Sequence, residues 1–173
     1  MNVIIQAIKT RRSCRSFRSE QLREEDLAQI LDAGTWAASG MGRQPAVMVA
    51  VQDPETRETL RRMNAAVLGN PTADPFYGAP TIVVVLADTG ASTAVEDGSL
   101  VMGNLLLAAS SLGVGSCWIH RAHEEFESAE GKALLKKWGL TGSYRGVGHC
   151  ALGYPAAAAA APKPRKADYI VRV

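Results

Sequence analysis

The stretch GSLVMGNLLLAASSLGVGSCWI, residues 98–119, carries no charged side chain. A membrane span needs about 20 predominantly apolar residues, so length alone admits one. However, Asn104, Ser110, Ser111, Gly113, Gly115 and Ser116 dilute the apolarity, and Leu112-Gly113-Val114-Gly115 has the form of a helix end. The stretch therefore reads as a helix over about 97–112, capped by Asp97, followed by a strand over 114–120. A helix apolar all round has to be buried on every side. In a chain of 173 residues that burial requires a partner subunit. A homodimer with this helix near its centre is expected.

The neighbouring segments extend this reading in both directions. Thr81 to Ala87 (TIVVVLA) has the continuous apolar character of a strand buried on both faces. Asp53-Pro54 opens a helix, with proline at the first helical position. Leu60, Met63, Val67 and Leu68 continue its apolar face, and Gly69-Asn70-Pro71 ends it. Ala46 to Gln52 is β-rich. A helix around 23–38 places Leu27, Ile30, Leu31 and Gly34 at helical spacing, and the loop Ser39 to Pro45 stops it. Residues 2–10 form a helix with Asn2 as cap, followed by a loop from Arg11 to Ser19. Downstream, a helix over 124–138 stops at Gly139, and Gly146 to Tyr154 is a strand. The six alanines at 156–161 are too few for a stable free helix and read as a solvated linker. Asp168 to Val173 (DYIVRV) alternates like a terminal strand at a sheet edge, the chain's own or a partner's.

The length favours one domain over 1–173, and 47% hydrophobic with 21% charged residues is an ordinary globular balance. A disordered chain would be poorer in apolar residues. Three cysteines cannot all pair within one chain, and no signal-peptide pattern opens the sequence, so a reducing cytoplasm is expected.

The local motifs that name a chemistry mostly fail on context. Gly146-Val147-Gly148-His149-Cys150-Ala151 matches GxGxxA, but no helix follows, and a dinucleotide fingerprint needs strand, turn and helix in that order. Gly113-x-Gly115 follows a helix, which is the wrong order, and there is no Walker-type loop. Cys117, His120, His123, His149 and Cys150 are zinc ligands by type, but Cys117 and His120 fall three apart on a strand and point to opposite faces. Buried thiols and hydrogen-bonded imidazoles are the better reading, and no metal is expected. No nucleophile with a clear base and acid is recognisable, so a hydrolase is unsupported.

Net charge is +2, too small for a general nucleic-acid binder, but the charge is unevenly placed. From Lys9 to Arg18 there are five basic residues and no acid, and Lys163, Arg165 and Lys166 form a second cluster. Alone, Arg11-Arg12-Ser13-Cys14-Arg15-Ser16-Phe17 reads as a solvated basic loop. Two such clusters on a near-neutral chain suit a small anionic ligand better than a long polyanion. Arginine forks match phosphate oxygens, and a serine hydroxyl between them adds a donor.

Four segments, in order, resemble the FMN-dependent nitroreductase family. Ile8 to Phe17 is similar to its RRSxRxF opening, and Ser39-Gly40-Met41-Gly42-Arg43-Gln44-Pro45 to its PSxxNxQPW loop. Leu112 to Ile119 resembles its helix-to-strand passage, and Gly153-Tyr154-Pro155 with Lys163-Pro164-Arg165-Lys166 its ending. The sequence departs from the pattern at Ala38, Gly42 and Ala46, which stand for the family's loop proline, asparagine and tryptophan.

The resemblance implies an α+β nitroreductase-like fold, with a central mostly antiparallel sheet flanked by helices in an intertwined homodimer. It implies FMN at the subunit interface, with Arg11, Arg12, Ser13, Arg15, Lys163 and Arg165 on the phosphate and ribityl chain. Ser39, Gly40 and Gln44 belong to the loop that approaches the flavin from the other subunit. The backbone at His120 and Arg121 faces the ring, and Asn64 contacts the ring edge. No residue is assigned as catalytic, because FMN carries the chemistry. The implied activity is ping-pong reduction of nitroaromatic, quinone or related conjugated acceptors, with hydride passing from NADH or NADPH through flavin N5. Such a protein needs a small-molecule electron acceptor and neither nucleic acid nor membrane. The alternative is a flavin-binding or redox-sensing protein without significant turnover.

Overall fold

A computed structural model describes residues 2–173. Asn2 caps α1 (Val3–Thr10), its side-chain oxygen accepting from the Ile4 N–H at 2.9 Å. α2 spans Glu24–Thr35, and a single 3-10 turn covers Gly40–Gly42. β1 (Ala46–Val51) leads to α3 (Pro54–Leu68), which starts at the Asp53 cap and ends at left-handed Gly69 as its sequence dictates. β2 (Thr81–Asp88), α4 (Ala94–Ser111) and β3 (Gly115–Ile119) follow. Then come α5 (Ala122–Glu127), α6 (Ala129–Lys137) and β4 (Tyr144–Gly153).

Among the described residues the strands form one four-stranded sheet in the order β1-β2-β4-β3. Every pairing is antiparallel. The last strand in sequence thus lies between β2 and β3. β2 is buried on both faces: Val83, Val85 and Ala87 pack against Ile30, Met102 and Leu105, while Ile82, Val84 and Leu86 pack against Leu60, Phe76 and Phe126. The register shifts between Val85 and Leu86, opposite Gly148 and Gly146, which leaves Val147 as the extra residue of a bulge.

Four expectations need correction. α2 ends at Thr35 rather than 38, where Trp36 leaves the helix and lies 79% exposed. α4 begins at Ala94, because Asp97 is no cap: its carboxylate is turned away to other partners. The helix expected over 124–138 is two helices broken at Ser128, whose extended backbone ends one while its hydroxyl caps the next by accepting from the Gly131 N–H at 3.0 Å. Gly131 makes the break possible, since a Cβ there would strike the Glu125 carbonyl. Asp168–Val173 forms no strand, and its side chains are exposed. α4 is also not enclosed on all sides within one chain, since Val95 and Leu100 are exposed.

Tyr154, just past β4, fastens α2 to the sheet. Its hydroxyl donates to Asp26 Oδ2 at 2.9 Å, and Arg23 Nε donates to the same oxygen at 3.0 Å. The Arg23 guanidinium first, then the Tyr154 hydroxyl, hold the Asp26 carboxyl below the usual carboxylate range. A depressed carboxyl stabilises the fold above the unfolded value of about 4, and that stability is lost as pH falls through the folded value. The melting temperature should therefore fall on acidification, and Asp26→Asn should flatten that fall. Thermal melts of both proteins across the acid range measure it.

Candidate active site

The chain's two basic clusters meet because the segment after α1 is zipped into the structure. Ser13 bridges Ser116 on β3 in parallel, and the Cys14 N–H donates to the Ser116 carbonyl at 2.8 Å. Phe17 bridges Pro155, the Arg18 N–H donates to the Tyr154 carbonyl at 2.9 Å, and the Ala156 N–H donates to the Ser16 carbonyl at 3.0 Å. Residues 13–18 thus connect the edge strand with the segment leaving β4. Gly115 permits the approach, since a Cβ there would lie 2.8 Å from Cys14 Sγ.

Lys9, Arg11, Arg12, Arg15, Lys163 and Arg165 line one groove of about 850 Å³ that has no acidic residue in its wall. None of the six takes part in an ion pair among the described residues. Arg12 Nη1 is spent on the end of α1, donating to the Lys9 carbonyl at 2.8 Å and the Arg11 carbonyl at 2.7 Å. Arg12 Nε and Arg11 Nη1 are buried without a partner. Buried guanidinium donors without acceptors are costly and favour an anion. A second cavity of about 420 Å³ shares Arg12, Ser13 and Arg15 and runs along Gly113, Val114 and Gly115.

Ser39 and Gln44, at the two ends of the loop 39–44, line a different, smaller cavity of about 170 Å³, together with Asp97. Met41 and Gln44 are left-handed at φ 52° and 51°, as is Gly42 at 67°. Gly42, which stands where the family pattern has asparagine, suits that conformation at no steric cost. The Gln44 N–H donates to Ser39 Oγ at 3.0 Å and closes the loop.

At the end of β3 the backbone turns through Arg121, a non-glycine residue at φ 79°. Such a conformation persists only where its surroundings enforce it. Asn64 does so: it is fully buried, its Nδ2 donates to the His120 carbonyl at 2.9 Å, and its Oδ1 accepts from Arg121 Nε at 2.9 Å. Asn64 Nδ2 also bonds Glu125, which faces His149 Nε2 at 3.3 Å, with both of those side chains fully enclosed. Asn64 therefore sits behind the turn, with its amide committed to protein partners.

One chain brings together the phosphate-type residues Arg11, Arg12, Ser13, Arg15, Lys163 and Arg165. Ser39 and Gln44 line their own cavity, Gly40 is bonded to Asp97 beside it, and Asn64, His120 and Arg121 form a third cluster. Asp97 and Glu125 were not among the expected site residues. Asp97 reaches Gly40 across 57 residues and Glu125 reaches Asn64 across 61, so no local signal marks these contacts. Burial holds the Cys117 and Cys150 thiols above their ordinary range, so neither is a reactive thiolate. Among the described residues no cluster of side chains could hold a metal.

The nitroreductase family model matches residues 8–154. An Archaeoglobus fulgidus protein, provisionally described as an NADH dehydrogenase/NAD(P)H nitroreductase, is 32% identical over 160 residues, covering 90% of this chain and 87% of that one. The crystal structure of a Bacteroides fragilis nitroreductase with bound FMN matches with a TM-score of 0.92 at 32% identity, over 100% of both chains. A Desulfitobacterium hafniense nitroreductase with bound FMN matches with a TM-score of 0.89 at 27% identity, over 100% of this chain and 99% of that one. A sheet closed by its last strand, a groove gripped by both ends of the sequence and a family match across most of the chain agree: this protein belongs to the nitroreductase family.

Proposed function

We propose that the chain is an FMN-dependent NAD(P)H oxidoreductase that reduces nitroaromatic, quinone or related conjugated acceptors in a ping-pong cycle as a homodimer. The observation that carries this reading is the meeting of the two cationic ends in one groove, with buried Arg11 Nη1 and Arg12 Nε facing no acceptor. That donor set suits a phosphate monoester: forked guanidinium groups, a serine hydroxyl and no competing carboxylate. Arg11, Arg12, Ser13, Arg15, Lys163 and Arg165 would hold the phosphate and ribityl chain. Ser39, Gly40 and Gln44 would close over the flavin from the partner subunit. The His120–Arg121 turn would present backbone N–H groups to the ring, with Asn64 as the residue that fixes the turn. When bound, the flavin supplies reversible hydride chemistry between the dinucleotide and the acceptor. The protein's part is to bind, orient and supply positive charge where negative charge builds up.

The dimer reading is supported by apolar surface left open on one chain. Val3, Ile4, Ile5 and Ile8 of α1 are all exposed, as are Trp36 and Leu100. So many large apolar side chains exposed on one chain call for a partner. Exposed Tyr169, Ile170 and Val171 would lie along that partner. Three free cysteines suit a reducing cytoplasm.

The purified protein is expected to show flavin absorption bands in the visible. It should also oxidise NADH or NADPH in the presence of menadione or nitrofurazone. Colourless protein that takes up no FMN would overturn the reading. Bound flavin without turnover on any acceptor would leave a redox-sensing flavoprotein in its place.

A further inference from the structure

The loop 39–44 is held by a carboxylate that no cation answers. Asp97 is buried at 4% exposure, and no ion pair reaches it among the described residues. Its oxygens are nevertheless both used. Asp97 Oδ1 accepts from the Gly40 N–H at 2.9 Å, and Asp97 Oδ2 accepts from the Thr93 hydroxyl at 2.8 Å. It lies in the first turn of α4, where the helix dipole favours a negative charge. A buried carboxylate is tolerated only while such bonds persist, so opening either bond is strongly opposed.

Gly40 completes the lock by shape. A Cβ at that position would strike the Thr93 hydroxyl oxygen. Beyond Gly40 the loop carries left-handed Met41 and Gln44, conformations that L-residues avoid unless held. Met41 is 79% exposed, so the loop's own packing does not hold it. Within the turn the Gly42 N–H donates to the Ser39 carbonyl at 3.0 Å and the Arg43 N–H to the Gly40 carbonyl at 3.2 Å; the side-chain restraints are Asp97 at one end and Ser39 Oγ, accepting from the Gln44 N–H, at the other.

We propose that Asp97 is a positioning residue: through the Gly40 N–H it fixes the Ser39–Gln44 loop in the shape presented to the partner subunit's flavin. The assignment rests on the flavin reading of Ser39 and Gly40 above. It also means that the Gly40 amide is already committed, so Gly40 serves the flavin by its lack of a side chain and not as a donor.

The test compares Asp97→Ala, Asp97→Asn and Thr93→Val with the wild type. It measures the FMN dissociation constant, the visible circular dichroism of bound flavin and the melting temperature. Asp97→Ala should weaken FMN binding by about tenfold and alter the flavin dichroism. Asp97→Asn, which keeps one oxygen for the Gly40 N–H, should recover most of both. Thr93→Val should lie between, at about threefold, and carries the test if the alanine variant does not fold. Wild-type binding with folded alanine and valine variants identical to it in affinity and dichroism overturns the assignment alone. Wild-type protein that holds no FMN removes the flavin reading and the assignment with it.

Discussion

Arg11→Ala combined with Arg165→Ala should strip the protein of its flavin on dialysis. Each residue offers charge-assisted hydrogen bonds of about 1.5–3 kcal/mol, so losing both should raise the FMN dissociation constant about a hundredfold to ten-thousandfold. The two residues come from opposite ends of the sequence and line the same groove, so each single change should produce part of the loss. Higher salt should weaken wild-type binding as well, because the contact is partly open to solvent. Lys136→Ala, a charge change on α6 away from that groove, should leave FMN binding as it is. Equilibrium dialysis with absorbance detection decides the matter, and a double variant that stays yellow contradicts the assigned clamp.

Gly146→Ala should cost substantial stability for a single added carbon. A Cβ at Gly146 would run into the Ala122 carbonyl and backbone, which have no flexible end to give way. Overpacking of this kind costs about 1–3 kcal/mol. For a chain of this size that lowers the melting temperature by roughly 2–12 °C. Ala122 directly follows the strained Arg121, so the displacement also reaches the turn that Asn64 holds. NAD(P)H oxidation should then fall further than loss of folded protein explains. Melts and turnover on the same preparation separate the two effects, and an unchanged melting temperature would contradict the packing argument.

The parts of the fold legible in the sequence are those decided locally. Asn2, Asp53-Pro54 and Gly69 cap their helices through bonds a few residues long, and β2 announces itself by a continuous apolar run. Misreadings arose where a distant partner outbids the local rule. Asp97 has the form of a cap, but Gly40, 57 residues away in sequence, claims its carboxylate. The break at Ser128 depends on Gly131 nestling against Glu125, which helical periodicity does not register. DYIVRV alternates like a strand, yet alternation cannot supply a neighbour to pair with. The site divides in the same way. The basic lining of the groove is readable because like charges cluster along the sequence. The Asn64–Arg121–Glu125 network is not, since its members lie 57 and 61 residues apart and meet only after folding.

The position of β4 also bears on how the protein is made. On the ribosome, β1 and β2 can pair as soon as they emerge, but β3 has no partner strand until residues 144–153 slot in beside it. Until then the nascent chain exposes the open edge of β2 and an orphan β3. Lys163 and Arg165 emerge later still. The two basic clusters can therefore face each other across the groove only after residue 165 has emerged, and chains interrupted before residue 144 should be prone to aggregation and clearance.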